Sequence, residues 1–269
     1  MKQGAGKIVP FFLFDSFPSN GHLDHALLTR LGGHSPAPFR SLNLSESVAD
    51  KKTNVMENRA LAYAIYQRTN NSLVHAHLAH GNDVAQVTAL DYGHYVGPVD
   101  ALITNQPGCG LTMNYADCSP ILLYDPKRQA IGLGHSGWKG AVKDLPGAMV
   151  SAMKSAFGTE PGDLIAGIGP SIGPCCYQVG EEVINAVQNV FNLSDELLLP
   201  EDSSKVLLPG GSRAYFDIAR ANSLNLIKAG LEQIEVSEMC TACRKDLFFS
   251  HRAENGRTGR FGALLILNQ

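Results

Sequence analysis

The sequence predicts an α/β fold built from layered mixed sheets with helices on the outside. Short apolar runs of strand length, separated by Gly and Pro, occur along all 269 residues, whereas helical periodicity is clear in only four segments. Strands and helices follow one another without strict alternation. This order favours layered sheets over a Rossmann repeat or a barrel.

The predicted strands are runs rich in Val, Ile, Leu and aromatic residues that end at turn-forming residues. We predict strands over residues 9–14, 26–29, 72–77, 84–90, 101–104, 110–114, 121–124, 130–134, 164–168, 235–239, 247–250 and 262–267. This is a large number of strands for the length of the chain.

Four segments repeat apolar residues at helical spacing, and we predict helices over residues 54–66, 146–157, 181–191 and 217–231. Thr53 is the expected N-cap of the first helix. Asp144 is expected to start the second helix and Gly158 to end it, because short polar residues cap helix starts and glycine tolerates the conformation that follows a helix end.

Length and composition predict a single domain over residues 1–269. A chain of this size buries most of its apolar surface without disulfides, and no repeat or long linker divides it. With 44% hydrophobic residues it is not a disordered chain. The 22 Lys and Arg against 25 Asp and Glu give a net charge of −3, so nucleic acid is not expected as a partner.

The sequence predicts a cytoplasmic protein without a membrane partner. Pro10 and Asp15 break the first apolar run, which lacks the features of a signal peptide, and no apolar run reaches the roughly 18 residues of a membrane span. The six cysteines are therefore expected in a reducing compartment, where catalytic and metal-binding roles gain weight over disulfides.

The densest chemistry lies between residues 100 and 140. Cys118 lies between two predicted strands and is followed by Pro120, which places its sulfur at a strand end or in a loop. His135 follows another strand and opens a turn that contains Trp138, the single tryptophan. These two residues fit either a metal site or a Cys/His nucleophile pair, and the residues alone leave that choice open.

A histidine cluster forms a third candidate. His75 and His77 share one face of a predicted strand, and His80 falls at its end beside Gly81. Such a pair can hold a metal, but hydrogen-bonded or surface histidines are the more common interpretation of this spacing.

The other cysteines are predicted to be packing residues. Cys240 and Cys243 form a CxxC motif, but no second CxxC lies about 15 to 20 residues away, so a zinc ribbon is not predicted. Cys175 and Cys176 are adjacent at a turn, where we expect small buried side chains, and Cys109 is expected in the core.

Three glycine-rich turns could approach an anion through backbone N–H groups. Arg30, Arg252 and Arg260 adjoin these turns and could bind an anion as bidentate forks, although each alone is more often a surface arginine.

Ordered motifs over nearly the whole chain resemble the YfiH-like, or laccase-domain, family. They include residues 25–33, 41–44, 57–59, 80–84, 100–104, 116–120, 135–140, 168–177, 248–250 and 258–260. The resemblance implies a layered α/β/β/α fold and a zinc ion held by His80, Cys118 and His135. Lys139 departs from the arginine usual in the family, which keeps the charge but not the bidentate fork.

The resemblance also implies an activity, a zinc-dependent purine nucleoside phosphorylase acting on adenosine, inosine, guanosine or methylthioadenosine, with adenosine deaminase activity. One thiolate and two imidazoles leave the fourth position of a tetrahedral zinc open, as in catalytic sites. Asp117 is the nearest acid/base in sequence, and Arg30, Asn43 and Arg252 are the expected contacts to phosphate or ribose.

Three alternatives stay open. The ligand set could carry Cu²⁺ and oxidise phenols, although nine histidines with one His-x-His pair and no His-Cys-His segment do not match a four-copper oxidase. Cys118 with His135 as base could instead form a hydrolase that edits peptidoglycan precursors. A non-catalytic metal-binding protein is the third.

Overall fold

A computed structural model describes residues 1–4, 9–191, 194–200 and 214–268. Its helices, named in chain order, are α1 Lys52–Tyr63, α2 Trp138–Val142, α3 Leu145–Phe157, α4 Glu181–Val190, α5 Ser194–Leu197 and α6 Ile218–Lys228. Its strands are β1 Lys2–Gln3, β2 Phe11–Leu13, β3 Leu23–Leu28, β4 Val74–Ala76, β5 Val84–Gln86, β6 Tyr95–Val96, β7 Ala101–Thr104, β8 Gly110–Tyr115, β9 Ser119–Asp125, β10 Ala130–Ser136, β11 Ile165–Ile168, β12 Gln178–Val179, β13 Leu198–Pro200, β14 Ala214–Phe216, β15 Gln233–Val236 and β16 Phe261–Leu267.

Two mixed sheets form the centre of the molecule. The first has the strand order β1-β2-β3-β16-β8-β4-β6, and the second has the order β15-β11-β9-β10-β7-β5. Most neighbours are antiparallel, but β4 lies parallel to both β6 and β8 in the first sheet. In the second sheet β5 is parallel to β7 and β15 to β11.

The central strands are buried on both faces because the two sheets pack on each other and helices cover the outside. Leu122 and Tyr124 of β9 pack between the sheets against residues such as Leu265, whereas Ile121 and Leu123 face α3. This follows from the alternation of side chains along a strand. The runs therefore read as continuously apolar in sequence.

Helices cover both outer faces. α1 packs on the first sheet, where Ala62 and Tyr63 contact a core that includes Leu264 and Ile266. α3 and α6 cover the second sheet with side chains that include Met149, Val150, Met153 and Leu226. The order of layers is α/β/β/α, and the predicted fold class is confirmed.

The caps of α3 are as predicted. The Asp144 carboxylate accepts a hydrogen bond from the Gly147 N–H at 3.0 Å, and Gly158 ends the helix in the left-handed conformation at φ 69°. The predicted N-cap of α1 was wrong, because the helix begins one residue before Thr53 and Lys51 precedes it.

The predicted strand over residues 247–250 was also wrong. The N–H groups of Leu247 and Phe248 both donate to the carbonyl of Arg244, which closes a local turn. Phe248 and Phe249 are apolar because their rings are fully buried in the central core.

A small third sheet, with the order β12-β14-β13, packs with α4 beside the main layers. The sequence prediction missed it because its strands have only two or three residues. Among the residues that the structure describes, no helix is long and apolar enough to cross a bilayer.

Candidate active site

A cavity of about 1120 Å³ opens where the ends of β4, β8 and β10 meet the loops that follow them. It is larger than the roughly 300 to 1,000 Å³ of common small-molecule pockets, so it can take two ligands side by side. His80, Cys118 and His135 line it together with Asp117, Arg252 and Arg260.

His80 is held in place through its backbone. Its side chain is exposed, and its φ of 58° is uncommon outside glycine. The carboxylate of the fully buried Asp100 accepts hydrogen bonds from the His80 N–H at 2.9 Å and from the Gly81 N–H at 2.6 Å. Asp100 therefore fixes the turn that presents His80, a role that the sequence alone did not reveal.

His135 is a buried residue of β10 at the cavity wall. Its N–H donates to the Asp100 carbonyl at 2.8 Å, its ring stacks on Tyr115 at 5.3 Å, and the ring centroid of His80 lies 5.3 Å away. Burial, with a smaller contribution from His80, lowers the pKa of His135 to about 3. The imidazole is neutral, which is the form that ligates metals.

Cys118 lies in the connection between β8 and β9, partly exposed to the cavity. Burial of its sulfur, with a smaller contribution from Asp117, raises the pKa of Cys118 to about 12. Without a metal the residue is a thiol. No hydrogen bond joins Cys118 to His135 among the described residues, and Nδ1 of His135 is without a partner there.

The donor chemistry of these three residues fits a transition-metal ion. Nδ1 of His135 is buried and has no hydrogen-bond partner, while Oδ1 of Asp100 lies 4.0 Å from it. A buried ring nitrogen without a hydrogen-bond partner is an orphaned polar atom that a metal ion would satisfy, and a neutral imidazole is a ligand type that transition metals accept. The exposed side chain of His80 lies beside His135 at the same cavity.

Asp117 lies at the cavity but both of its carboxylate oxygens are engaged. Oδ1 accepts from the Thr241 hydroxyl and Oδ2 from the Arg252 N–H, each at 2.7 Å. Its own φ is 87°, so the turn is strained for an L-residue. The structure thus supports a role for Asp117 in holding the cavity wall.

Arg252 and Arg260 bring positive charge to the cavity. Arg260 donates through Nη1 to the carbonyls of Thr258 and Gly259, and burial lowers its pKa. Arg252 donates to the Gln178 carbonyl and lies over the Tyr177 ring, 5.0 Å from its centroid. Neither Arg252 nor Arg260 is among the arginines that form ion pairs in the described part of the chain, which are Arg30, Arg59, Arg220 and Arg244.

Two predicted substrate contacts do not line the cavity. Arg30 donates to the carbonyls of Arg40 and Lys245, pairs with Glu254 at 3.1 Å and stacks over Phe249, so its guanidinium joins several loops. Asn43 is fully buried, and its side-chain oxygen accepts from the Arg260 N–H at 2.9 Å. Asn43 therefore acts on the cavity through Arg260.

An aromatic platform of His75, His77 and Tyr95 also lines the cavity, and the sequence prediction did not include it. The Tyr95 ring stacks on His77 at 4.8 Å and lies 4.9 Å from the ring of His75. From the sequence alone, hydrogen-bonded or surface histidines are the more common interpretation of His75 and His77. The strand β6 that brings Tyr95 to them has only two residues and gave no signal.

Comparison with known proteins identifies the family. A family model described as multi-copper polyphenol oxidoreductase laccase matches residues 24–268. The chain belongs to this family. It is 36% identical over 248 residues to a protein of Geobacillus stearothermophilus named purine nucleoside phosphorylase YlmD, with 89% of this chain and 88% of that protein covered. It is 30% identical over 239 residues to purine nucleoside phosphorylase YfiH of Escherichia coli, with coverages of 89% and 91%.

A solved structure of YlmD from Geobacillus stearothermophilus has the same fold. Its TM-score is 0.88 at 32% sequence identity, and the match covers 99% of this chain and 98% of that one. The description of the family points to metal binding of a copper-oxidase kind, and the donor set of the cavity agrees with metal binding in general.

Proposed function

We propose that this chain is a metal-dependent purine nucleoside phosphorylase, which cleaves the bond between purine and ribose with inorganic phosphate as the nucleophile. The observation that carries the proposal is one cavity that combines a Cys/His₂ donor set, an aromatic platform and two arginines that form no ion pair with any residue the structure describes. The names of the relatives at 36% and 30% identity support it.

Arg252 and Arg260 form the proposed phosphate subsite. A dianion needs cationic donors that no carboxylate already occupies, and a guanidinium meets two phosphate oxygens at once. The Arg252 N–H donates to the Asp117 carboxylate and the Arg260 N–H donates to the side-chain oxygen of Asn43, so the backbone at both arginines is held in place. Arg30 pairs with Glu254 and does not line the cavity, so it is left out of this subsite.

The platform of His75, His77 and Tyr95 forms the proposed purine subsite. A flat heteroaromatic base gains stacking energy on such rings, about 1 to 3 kcal/mol per base where this has been measured by substitution. Tyr95 is 37% exposed, so part of its side chain is accessible to a ligand. Ribose would then lie between the platform and the arginines, with C1′ toward the phosphate.

Within the proposal, His80, Cys118 and His135 hold Zn²⁺. Zinc suits one thiolate and two imidazoles, and it would supply Lewis-acid polarisation of an oxygen through its open position. The same donors also accept Cu²⁺, so metal content has to be measured on the purified protein. His135 enters this site already neutral, while Cys118 gives up one proton when a cation binds.

We include adenosine deamination as a second reaction of this cavity. It replaces the amino group at C6 with an oxygen from water and releases ammonia, so it needs no phosphate. Asp117 remains the proposed acid/base for this step, in competition with the two hydrogen bonds that it accepts.

The test is to incubate the zinc-loaded protein with adenosine, with and without phosphate, and to resolve adenine, inosine and hypoxanthine by chromatography. Phosphate-dependent adenine supports the phosphorylase, and phosphate-independent inosine supports the deaminase. Cys118→Ala is expected to lose both products, whereas Cys109→Ala, a change in the core away from the cavity, keeps them. Full activity in Cys118→Ala would refute the proposed site.

A further inference from the structure

Four cysteines outside the cavity come together although two loops supply them. Cys175 and Cys176 lie in a turn before β12, and Cys240 and Cys243 lie in a turn after β15. Their sulfur atoms all lie within 4.8 Å of one another. Among the described residues, no other group of three or more His, Cys or acidic side chains gathers its donor atoms this closely.

The spacing of the sulfurs matches a metal site and not a disulfide. The Cys243 sulfur lies 3.6 Å from that of Cys175 and 3.4 Å from that of Cys176. A disulfide needs about 2.05 Å. A tetrahedron of sulfurs about 2.3 Å from a central zinc has edges of about 3.8 Å, close to both measured distances.

The loop that carries Cys175 and Cys176 also contacts the Cys240 sulfur through its backbone. The Gly173 N–H donates to this sulfur at 3.2 Å, across 67 residues of sequence. A parallel bridge between Ser171 and Cys240 keeps the two loops side by side.

We propose that Cys175, Cys176, Cys240 and Cys243 bind one Zn²⁺ as a closed structural site, separate from the cavity. Four thiolates fill the tetrahedral coordination of zinc and leave no position for substrate, as in structural sites. The expectation of buried packing side chains was wrong for three of them, because Cys175 and Cys243 are exposed and Cys176 is partly so, whereas Cys240 is buried as expected.

The proposed site ties together two segments of the cavity wall. The turn with Cys175 and Cys176 carries Ile172 and Tyr177, which line the cavity. The other turn carries Thr241, whose hydroxyl donates to Asp117. Zinc at the four cysteines would fix these two turns relative to each other without taking part in the reaction.

Metal analysis separates this site from the cavity. Wild-type protein, purified with a thiol reductant and added zinc, is expected to hold two zinc ions per chain, and Cys118→Ser to hold one. X-ray absorption of Cys118→Ser is expected to show four sulfur neighbours at about 2.3 Å and no imidazole. Cys243→Ser should lose this four-sulfur signal, and the core variant Cys109→Ser should keep two zinc ions.

The readout is independent of the proposed activity, since no substrate is used. If the cavity held no metal, wild-type protein would hold one zinc with four sulfurs, and the structural site would stand. Absence of zinc from folded Cys118→Ser, or mixed sulfur and nitrogen ligation in it, would overturn the proposal. A reductant-resistant mass two daltons below that of six thiols would also overturn it, because it would show a disulfide.

Discussion

Replacement of Asp100 by asparagine tests the claim that this residue fixes the turn that presents His80 to the proposed metal site. Its two carboxylate oxygens each accept one backbone N–H, from His80 at 2.9 Å and from Gly81 at 2.6 Å. An amide offers one oxygen only, so in Asp100→Asn its NH₂ group must face one of these N–H donors.

The size of the effect follows from those two contacts. One charge-assisted hydrogen bond becomes a neutral one, which costs about 1 kcal/mol, and the other is replaced by two facing donors, which costs about 1.5 to 3 kcal/mol. The free energy of unfolding should fall by about 2.5 to 4 kcal/mol. Zinc affinity at the cavity should fall about 10- to 100-fold, since second-layer carboxylates contribute that much to metal sites.

Asp125→Asn is the matched control. Asp125 is also fully buried, but one of its oxygens accepts both N–H groups, from Lys127 and Arg128, while the other has no partner. An asparagine can keep both bonds as neutral ones, so by the same reasoning we expect a loss of about 2 kcal/mol and no change in zinc affinity. Urea unfolding of the metal-free proteins and zinc competition against a chelator measure both. Equal losses of unfolding free energy in the two variants, together with unchanged zinc affinity in Asp100→Asn, would refute the reasoning.

Three further outcomes are expected. Arg260→Gln removes a charge-assisted contact, so it should raise the KM for phosphate at least tenfold and leave the KM for nucleoside within about twofold. The control Arg128→Gln should change neither KM. An unchanged KM for phosphate in Arg260→Gln would remove Arg260 from the proposed site. Gly137→Ala places a methyl group 3.0 Å from the Cys118 sulfur, so zinc affinity at the cavity should drop about tenfold. In the control Gly180→Ala the added methyl group meets nothing within 4 Å, so zinc affinity should stay unchanged. Stability of the metal-free protein should fall by about 4 kcal/mol per pH unit as the pH drops from about 6 toward 4.5. The unfolded chain then takes up protons at three buried histidines whose pKa values are lowered to about 4, 4 and 3, namely His25, His75 and His135. Urea midpoints that do not move over this range would contradict it.

Most of the layered fold could be predicted because its central strands are buried on both sides. Such strands read as continuous apolar runs, as in β9 and β16, whose residues are all buried. The same signal misled at residues 247–250, where apolar side chains fill the core from a turn. Strands of two residues, such as β6 and β12, carry too little pattern to be recognised.

The sequence predicted which part of the chain carries the chemistry better than which contacts each side chain makes. His80, Cys118 and His135 line one cavity, as expected of residues in one site. Arg30 and Asn43 do not line the cavity, because a sequence motif shows where a side chain lies along the chain but not which hydrogen bonds it already makes. The four-cysteine cluster was missed because its two pairs lie up to 68 residues apart, and contacts between the two loops, including the parallel bridge beside them, bring the pairs together.

The central claim is that phosphate, held in this cavity, takes the place of the purine on ribose. ³¹P NMR of the zinc-loaded protein with inosine and phosphate measures this directly. The account predicts that the phosphate signal falls as a ribose 1-phosphate signal rises, at the rate at which hypoxanthine is released. Release of hypoxanthine without any sugar phosphate, or no release from protein with a full complement of zinc, would contradict it.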